Sequence, residues 1–447
     1  MFIIYDFIFF IFSLIYLPIY LLKGKFHRGF SARLGNLPLD LKLDQPIWIH
    51  AVSVGEALSI RQLVEGLRKD FGQKKFVIST VTATGNKIVR GYAQAQDFVT
   101  YLPLDFSFIV KRVISKVDPS LFILAETELW PNLIRALYLR NIPLVIVNAR
   151  ISDRSFNRYR LIKFLIKPVL GKINLFCCQA AVDAERLITL GASGDKVRVT
   201  GNMKFDTLDY RDLGGENIEA RKKLCLDYRD KFWVAGSTHQ GEEEIILGAY
   251  KELLKDYPRL RLLIAPRHPE RARDIEKLLN KYRFDVVMVS QLASLPVEPA
   301  NQPTSQPANQ PTIFILDTIG ELTHFYSIAD IVFVGGSLVK KGGHNILEPT
   351  ALGKPIISGP YMFNFRDIKD VFLRRNAFLL AHNQNELKEK IKYLLDNSEE
   401  AGGFILRAKE IIFSNQGATE RNLEVIKDLF VSLRGVPPAA GRRSNLY

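Results

Sequence analysis

Cysteine is scarce: three in 447 residues, with Cys177 beside Cys178 and Cys225 apart. No Cys-x-x-Cys occurs. Neither a disulfide framework nor a zinc site is therefore indicated, and a reducing compartment fits. The seven histidines form no His-Glu-x-x-His, which leaves a protein metal site with little support. Negative charge is also short. Sixty-one Lys and Arg stand against 47 Asp and Glu, a net charge of +14. That imbalance implies acidic partners: phosphorylated substrates, phospholipid headgroups or nucleic acid. Aromatic-basic recognition motifs and a helix-turn-helix pattern are missing, so nucleic acid has no support beyond charge. Hydrophobic residues make up 47% of the chain, ample for packed cores. The length fits two domains of about 200 residues each.

Phe2 to Leu22 is almost wholly apolar, broken by Asp6 and Pro18 and followed by Lys23, Lys25, Arg28 and Arg33. A secretory signal places its basic residues first and ends in small residues, and this segment does neither. A spanning helix needs about 20 apolar residues, so the stretch is marginal. It fits a single crossing, a helix lying in the interface, or a buried first helix. Basic residues on its carboxyl side put the body of the protein in the cytoplasm. A second stretch, Phe156 to Lys172, interleaves Arg158, Arg160, Lys163 and Lys167 with Tyr159, Leu161, Phe164, Leu165 and Ile166. That mixture suits an anionic membrane surface. It suits a core helix with snorkelling basic residues equally well.

From about Ile47 short β-branched runs alternate with helical stretches. Strands are expected at Ile47 to Val52, Phe76 to Thr80, Leu121 to Ala125, Leu144 to Asn148 and Val197 to Gly201, and a helix at Ala57 to Lys69. The alternation restarts at Phe232 to Ala235. It continues through Leu260 to Ala265, Val286 to Val289, Ile313 to Leu316, Ile331 to Val334 and Pro355 to Ser358. This is βαβ grammar: an α/β chain of two Rossmann-like domains, with helices on both faces of parallel sheets. The boundary falls near Asn202 to Glu219. Ligands of such sheets bind at the carboxyl edges of the strands. One segment breaks the pattern. Pro299-Ala300-Asn301-Gln302-Pro303-Thr304 recurs at Pro307 to Thr312 and reads as a disordered insertion over about 292–312. The tail 435–447 reads as flexible.

The chemistry-bearing residues sit at expected strand ends. The run from Gly335 to Pro349, Gly-Gly-Ser-Leu-Val-Lys-Lys-Gly-Gly-His-Asn-Ile-Leu-Glu-Pro, follows a strand and opens a helix. Its glycines let backbone N–H groups approach an anion. It is neither a Walker A loop nor Gly-x-Gly-x-x-Gly, and Glu348 beyond it suits ribose hydroxyls. A plain glycine-rich turn between core strands fits the same residues. Glu56 follows Ser53, Val54 and Gly55 at a strand-to-helix turn, where the helix N-terminus should favour the ionised form. A carboxylate there can serve as general base toward a hydroxyl. A helix-capping glutamate fits as well. Glu126, Glu128 and Trp130 follow another strand, as sugar sites and ordinary helix starts both do. In the second half Pro266-Arg267-His268 ends a strand, and Arg267 can grip a phosphate bidentately. Gly320-Glu321-Leu322 and Gly236-Ser237-Thr238-His239 end two more.

Together these segments resemble a known family. His50-Ala-Val-Ser-Val-Gly-Glu56, Glu126-Thr-Glu-Leu-Trp-Pro-Asn132, Asn148-Ala-Arg-Ile-Ser152, Gly201-Asn-Met-Lys-Phe-Asp206, Pro266-Arg-His-Pro-Glu-Arg271 and Gly342-Gly-His-Asn-Ile-Leu-Glu-Pro349 are similar to the 3-deoxy-D-manno-octulosonic acid (Kdo) transferases of lipopolysaccharide synthesis. The likeness runs nearly the whole chain in order. It implies a GT-B fold, two Rossmann-like domains facing across a cleft. It also implies CMP-Kdo as donor, a phosphorylated lipid A precursor as acceptor, inversion at the anomeric carbon and no protein-bound metal or other cofactor. The place is then the cytoplasmic face of a Gram-negative inner membrane. The expected divisions are an anchor at 1–22, an acceptor domain at 23–205 and a donor domain at 206–434. By motif, Glu56 would accept the proton. Pro266, Arg267, Gly320, Glu321, Leu322, Asn345, Ile346, Leu347 and Glu348 would bind CMP. Ser53, Gly55, Glu126, Glu128, Arg150, Lys204 and His268 are candidates for further substrate contacts. Ile346 stands where many members have Pro, and Leu322 where many have Met, and both are apolar. Two rivals remain at this point: another GT-B enzyme, a glycosyltransferase or epimerase using a UDP-sugar, and a non-catalytic membrane-bound scaffold.

Overall fold

The computed structural model describes residues 5–7, 9–11, 13–14, 29–72, 74–207, 218–292 and 312–434. Apart from Leu292 and Thr312, the expected insertion lies outside the described residues, as does the tail from 435. Two compact units are present. One comprises residues up to Thr207 together with those from Asn415 onward, and the other Leu208–Ser414.

The first unit is built on a parallel sheet of β1 (Ile47–His50), β2 (Phe76–Thr80), β3 (Phe98–Tyr101), β4 (Leu121–Ala125), β5 (Leu144–Ala149), β6 (Leu175–Cys178) and β7 (Val197–Val199). Its central strands are apolar on both faces because helices cover both. Alternation divides them: Trp48, Phe122 and Ile146 enter one core, and Ile47, Ile49, Ile123 and Val145 the other. The second unit repeats the plan with β8 (Lys231–Thr238), β9 (Leu260–Pro266), β10 (Asp285–Met288), β11 (Thr312–Ile315), β12 (Ile331–Val334), β13 (Ile356–Ser358) and β14 (Leu379–Leu380), again all parallel. Three strands were not expected from sequence: β3, β6 and β14. They are short, and β3 has only one fully buried residue of four, so neither length nor a continuous apolar run marks it. The helix expected at Ala57 to Lys69 is two helices, Val54–Ser59 and Arg61–Asp70.

Strand order locates the sites. The sheets run β3-β2-β1-β4-β5-β6-β7 and β10-β11-β9-β8-β12-β13-β14. Each chain path winds outward one way, returns to the middle, and winds the other way. The reversals fall between β1 and β4, and between β8 and β12. At such a point the two outgoing loops diverge to opposite faces and leave a crevice at the carboxyl edge.

The last helix, Ala418–Arg434, belongs to the first unit and not, as the sequence division implied, to the second. Asp206 accepts N–H bonds from Gly417 (2.8 Å) and Thr419 (2.6 Å) at its start. Asn422 donates to Thr200 Oγ1 (3.0 Å), and Ile426 and Phe430 join the core beside β1 and β4. Helical period shows that a face is apolar, but not which sheet will cover it.

Near the amino terminus, residues 5–7, 9–11 and 13–14 are helical. Tyr5 donates to Asp105 Oδ2 (3.0 Å), Asn132 donates to Asp6 Oδ1 (2.7 Å), and the Phe9 and Phe106 rings meet edge to face. Phe7, Phe10 and Leu14 are exposed. Among the described residues no helix is long and apolar enough to cross a membrane. The stretch expected at Phe156 to Lys172 forms two helices, Asp153–Leu161 and Lys163–Leu170. Leu161 and Phe164 stand 81% and 73% exposed, while Val169 and Leu170 are buried.

The placement of the last helix can be tested. Ile426→Ala removes a fully buried side chain and should cost about 2–5 kcal/mol. Hydrogen exchange should accelerate in peptides from β1 to β7 and stay unchanged in those from β8 to β14.

Candidate functional site

Each unit carries a constellation at its strand-order reversal. In the first, β1 ends at His50, and Ser53 caps the helix Val54–Ser59. Glu56, the third helical residue, folds back over the cap. Its Oε2 accepts from Val52 N–H and its Oε1 from the Ser53 hydroxyl, both at 2.8 Å. The capping reading is therefore correct as geometry, a variant of the capping box. Glu56 is only 7% exposed. Burial chiefly, and the neighbouring Glu126 charge after it, raise its carboxyl to about 7 against the hydrogen bonds from Val52 and Ser53. The expected preference for the ionised form is thus overturned: desolvation and a like charge outweigh the helix N-terminus. A carboxyl poised near neutrality is better matched to general-base work than one at its ordinary value. A Cβ on Gly55 would meet nothing within 4 Å, so space lies open beside it.

β4 delivers the other acids. Glu126 sits at φ +59°, a left-handed conformation that costs a non-glycine residue about 1 kcal/mol or more. Lys204 pairs with it at 2.9 Å. Lys204 is placed from a distance. Asn148, at a bulge in β5 with φ +55°, accepts from Met203 N–H (3.1 Å) and so pins the turn Met203–Asp206. Glu128 accepts from the Trp130 indole (3.1 Å), and burial raises its carboxyl. Arg150 N–H donates to Thr127 Oγ1 (2.8 Å). Ser53, Glu56, Glu126, Glu128 and Lys204 therefore gather at one edge of the first sheet. His50, which ends β1, is fully buried. Its Nδ1 lies 2.9 Å from Ser79 Oγ, and burial lowers its pKa to about 3. It is a core histidine.

In the second unit four neighbouring strands, β11-β9-β8-β12, bring their carboxyl ends together. Pro266 closes β9, and the exposed Arg267 follows, its N–H bonded to Thr238 O (3.0 Å). Asn345 donates to Glu348 Oε1 (3.1 Å) and accepts from Leu347 N–H (3.0 Å). Burial raises the Glu348 carboxyl, and Asn345 and the Arg267 charge oppose it, so Arg267 and Glu348 share one electrostatic neighbourhood. Ile346 is fully buried ahead of the short helix Leu347–Ala351. Gly320 has φ +93° and open space at its Cβ position. Glu321 is already committed, to the Thr318 hydroxyl and to Lys223 (3.0 Å), and these hold its carboxyl below the ordinary range. Leu322 begins the helix Leu322–Ile328.

Sequence reasoning missed two features here. His239 and His344 bring Nε2 to Nε2 at 2.9 Å with ring planes 7° apart. Such nearly coplanar rings are joined through one shared proton, so one ring donates and the other accepts. Burial chiefly lowers both, to about 4 and about 3, and Lys341, Arg271 and Arg267 add positive charge beside His239. The other feature is Glu242, whose carboxylate already occupies backbone N–H groups of the glycine-rich loop that the sequence suggested were waiting for a ligand anion. Neither could be found by spacing: His239 and His344 are 105 residues apart, and Glu242 is one of three consecutive glutamates. No group of three His, Cys, Asp or Glu side chains among the described residues is placed to hold a metal.

Two parallel seven-stranded sheets of this kind, each flanked by helices, have the GT-B-like architecture of glycosyltransferases. Residues 306–411 match the family described as glycosyl transferases group 1. The crystal structure of UDP-GlcNAc 2-epimerase from Neisseria meningitidis bound to UDP-GlcNAc aligns with a TM-score of 0.56 over 87% of this chain and 100% of that one. At 12% identity that likeness is one of fold. Residues 28–207 match the family 3-deoxy-D-manno-octulosonic-acid transferase (kdotransferase). The 3-deoxy-D-manno-octulosonic acid transferase of Haemophilus influenzae is 40% identical over 385 residues, 86% of this chain and 87% of the relative. That of Rickettsia felis is 32% identical over 396 residues, 88% and 81%. The chain belongs to the Kdo transferase family of glycosyltransferases.

The raised Glu56 carboxyl gives a signed expectation. In a carboxyl-labelled NMR titration Glu56 should titrate near pH 7, and Glu126→Gln should lower its midpoint by removing a like charge and freeing Lys204. An unchanged midpoint would show that Glu126 does not act on Glu56.

Proposed function

We propose that the protein transfers Kdo from CMP-Kdo to a hydroxyl of a phosphorylated lipid A precursor, with inversion at the anomeric carbon. Glu56 is the general base. As the acceptor oxygen bonds to the anomeric carbon, Glu56 takes the hydroxyl proton. The bond to the CMP phosphate breaks, and its electron pair leaves with CMP. The observation that carries this role is a buried carboxyl held near neutrality at the reversal of the first sheet, in a chain 40% identical to a Kdo transferase.

The second unit binds the nucleotide. Arg267 meets the phosphate, and Asn345 to Glu348, with Pro266 and the Gly320 to Leu322 turn, meet the cytidine. The buried Glu348, half-satisfied by Asn345, suits ribose hydroxyls. Leaving-group charge is stabilised by fixed cationic side chains such as Arg267, and electrostatic stabilisation of this kind is the usual source of the largest catalytic effect. Glu126, Glu128, Arg150, Lys204, Ser53 and Gly55 line the acceptor side, and His268 assists on the donor side. The acceptor's phosphates and an anionic inner-membrane surface fit the +14 charge. The exposed Phe7, Phe10 and Leu14, with Leu161 and Phe164, then face that membrane on its cytoplasmic side, the first helix serving as the single anchor.

Purified full-length protein, CMP-Kdo made in situ and a tetraacyl lipid A precursor test this by product mass. The wild type should add Kdo. Glu56→Gln should cut the rate by about a hundredfold or more, as expected for loss of a general base. Equal transfer by both proteins would remove Glu56 as base. No transfer by folded wild type, with turnover of a UDP-sugar instead, would replace the donor assignment.

A further inference from the structure

The glycine-rich loop after β12 is held from inside the protein. Glu242 precedes the helix Glu243–Leu253, which follows β8, and is fully buried. Its Oε2 accepts from His239 N–H (2.9 Å) and Gly336 N–H (2.6 Å). Its Oε1 accepts from Ser337 N–H (3.0 Å) and Leu338 N–H (2.9 Å). Three successive N–H groups converging on one anion form a nest. In phosphate-binding glycine loops the ligand supplies that anion. Here a side chain supplies it.

The arrangement joins the two strands that flank the reversal. β8 ends in a bulge at Ser237, whose φ is +56°. Gly335 packs so tightly on it that a Cβ would lie 2.6 Å from Ser237 O. Gly336 turns at φ +68°, and a Cβ there would meet the His344 ring at 3.0 Å. Glu242 closes the remaining gap, tying the β8 exit at His239 to the β12 exit at Gly336 to Leu338. The loop then runs on past His344 to Asn345 and Glu348, two of the groups at the donor site.

We infer that Glu242 is a positioning residue whose carboxylate fills the Gly336–Leu338 nest and sets the donor-binding loop before the nucleotide arrives. The inference rests on the donor-site reading above. It follows that these N–H groups are not what the donor's phosphate meets. That charge falls to side chains such as Arg267. Four N–H donors require an acceptor on both oxygens. Glutamine presents an NH2 in place of one of them and leaves two buried N–H groups opposed by a donor. Aspartate keeps the charge and both acceptors on a stem one methylene shorter.

The test uses the full chain as wild type, Glu242→Gln and Glu242→Asp, with CMP as the probe. Calorimetric titration should show CMP bound at least 10-fold more weakly by folded Glu242→Gln, with Glu242→Asp recovering part of the loss. Affinity within twofold of wild type for Glu242→Gln, or equal losses in both variants, would overturn the proposal. Hydrogen exchange of wild type without CMP is the second arm, and it stands even if Glu242→Gln does not fold. The amides of Gly336, Ser337 and Leu338 should already be protected, and free exchange there would overturn it. If wild type shows protected amides but binds no CMP, the donor assignment fails while the brace remains.

Discussion

Everything in this protein depends on the reversal of strand order within each parallel sheet. Parallel strands force every connection to cross back over a face, so all loops of one polarity emerge at one edge. A reversal spreads two of those loops apart and leaves a place where a side chain can be buried yet still meet a ligand. Glu56 and Glu126 flank the first reversal, after β1 and β4. His239 and the glycine-rich loop flank the second, after β8 and β12. Both sheets are irregular beside the reversal or one strand away, at Asn148 and at Ser237, each a non-glycine residue with positive φ. Regular ladders would aim these loops along the strand. The bulges re-aim them.

Three glutamates at helix starts show how environment divides one chemistry into three tasks. Glu56 is buried beside another acid, so its proton is held near neutral pH and can be exchanged. Glu321 is hydrogen-bonded to Thr318 and paired with Lys223, and is fixed as an anion. Glu242 is fully buried, and burial raises its carboxyl against the four N–H donors that surround it; it works as structure. All three lie at a helix start, Glu56 as the third helical residue and Glu242 and Glu321 as the residue before the helix. What differs is the balance of desolvation against hydrogen bonds and charges.

The sequence exposed the architecture well because its signals were local. Eleven β-branched runs could be placed to within a few residues, and with them the strand ends that carry Glu56, Glu126, Arg267 and Asn345. The strands Phe98–Tyr101, Leu175–Cys178 and Leu379–Leu380 escaped; they lie toward the sheet margins, and Phe98–Tyr101 and Leu379–Leu380 are only partly buried. The final helix was assigned to the wrong sheet because its partner, Asp206, lies more than two hundred residues earlier. The sign of the Glu56 shift was also misjudged. A helix N-terminus is visible in sequence, but the burial that overrides it is a property of the whole fold. For the same reason, nothing marked Glu242 or the His239–His344 pair.

The most direct measurement is the pH dependence of single-turnover Kdo transfer by the wild-type enzyme with CMP-Kdo and lipid A precursor both saturating. If Glu56 is the base, the rate should rise with pH along a limb whose apparent pKa lies near 7, and level off as the carboxyl ionises. A limb near the ordinary carboxylate value, or a rate independent of pH from 5 to 8, would contradict the account, because the poised buried carboxyl would then have no part in the chemical step.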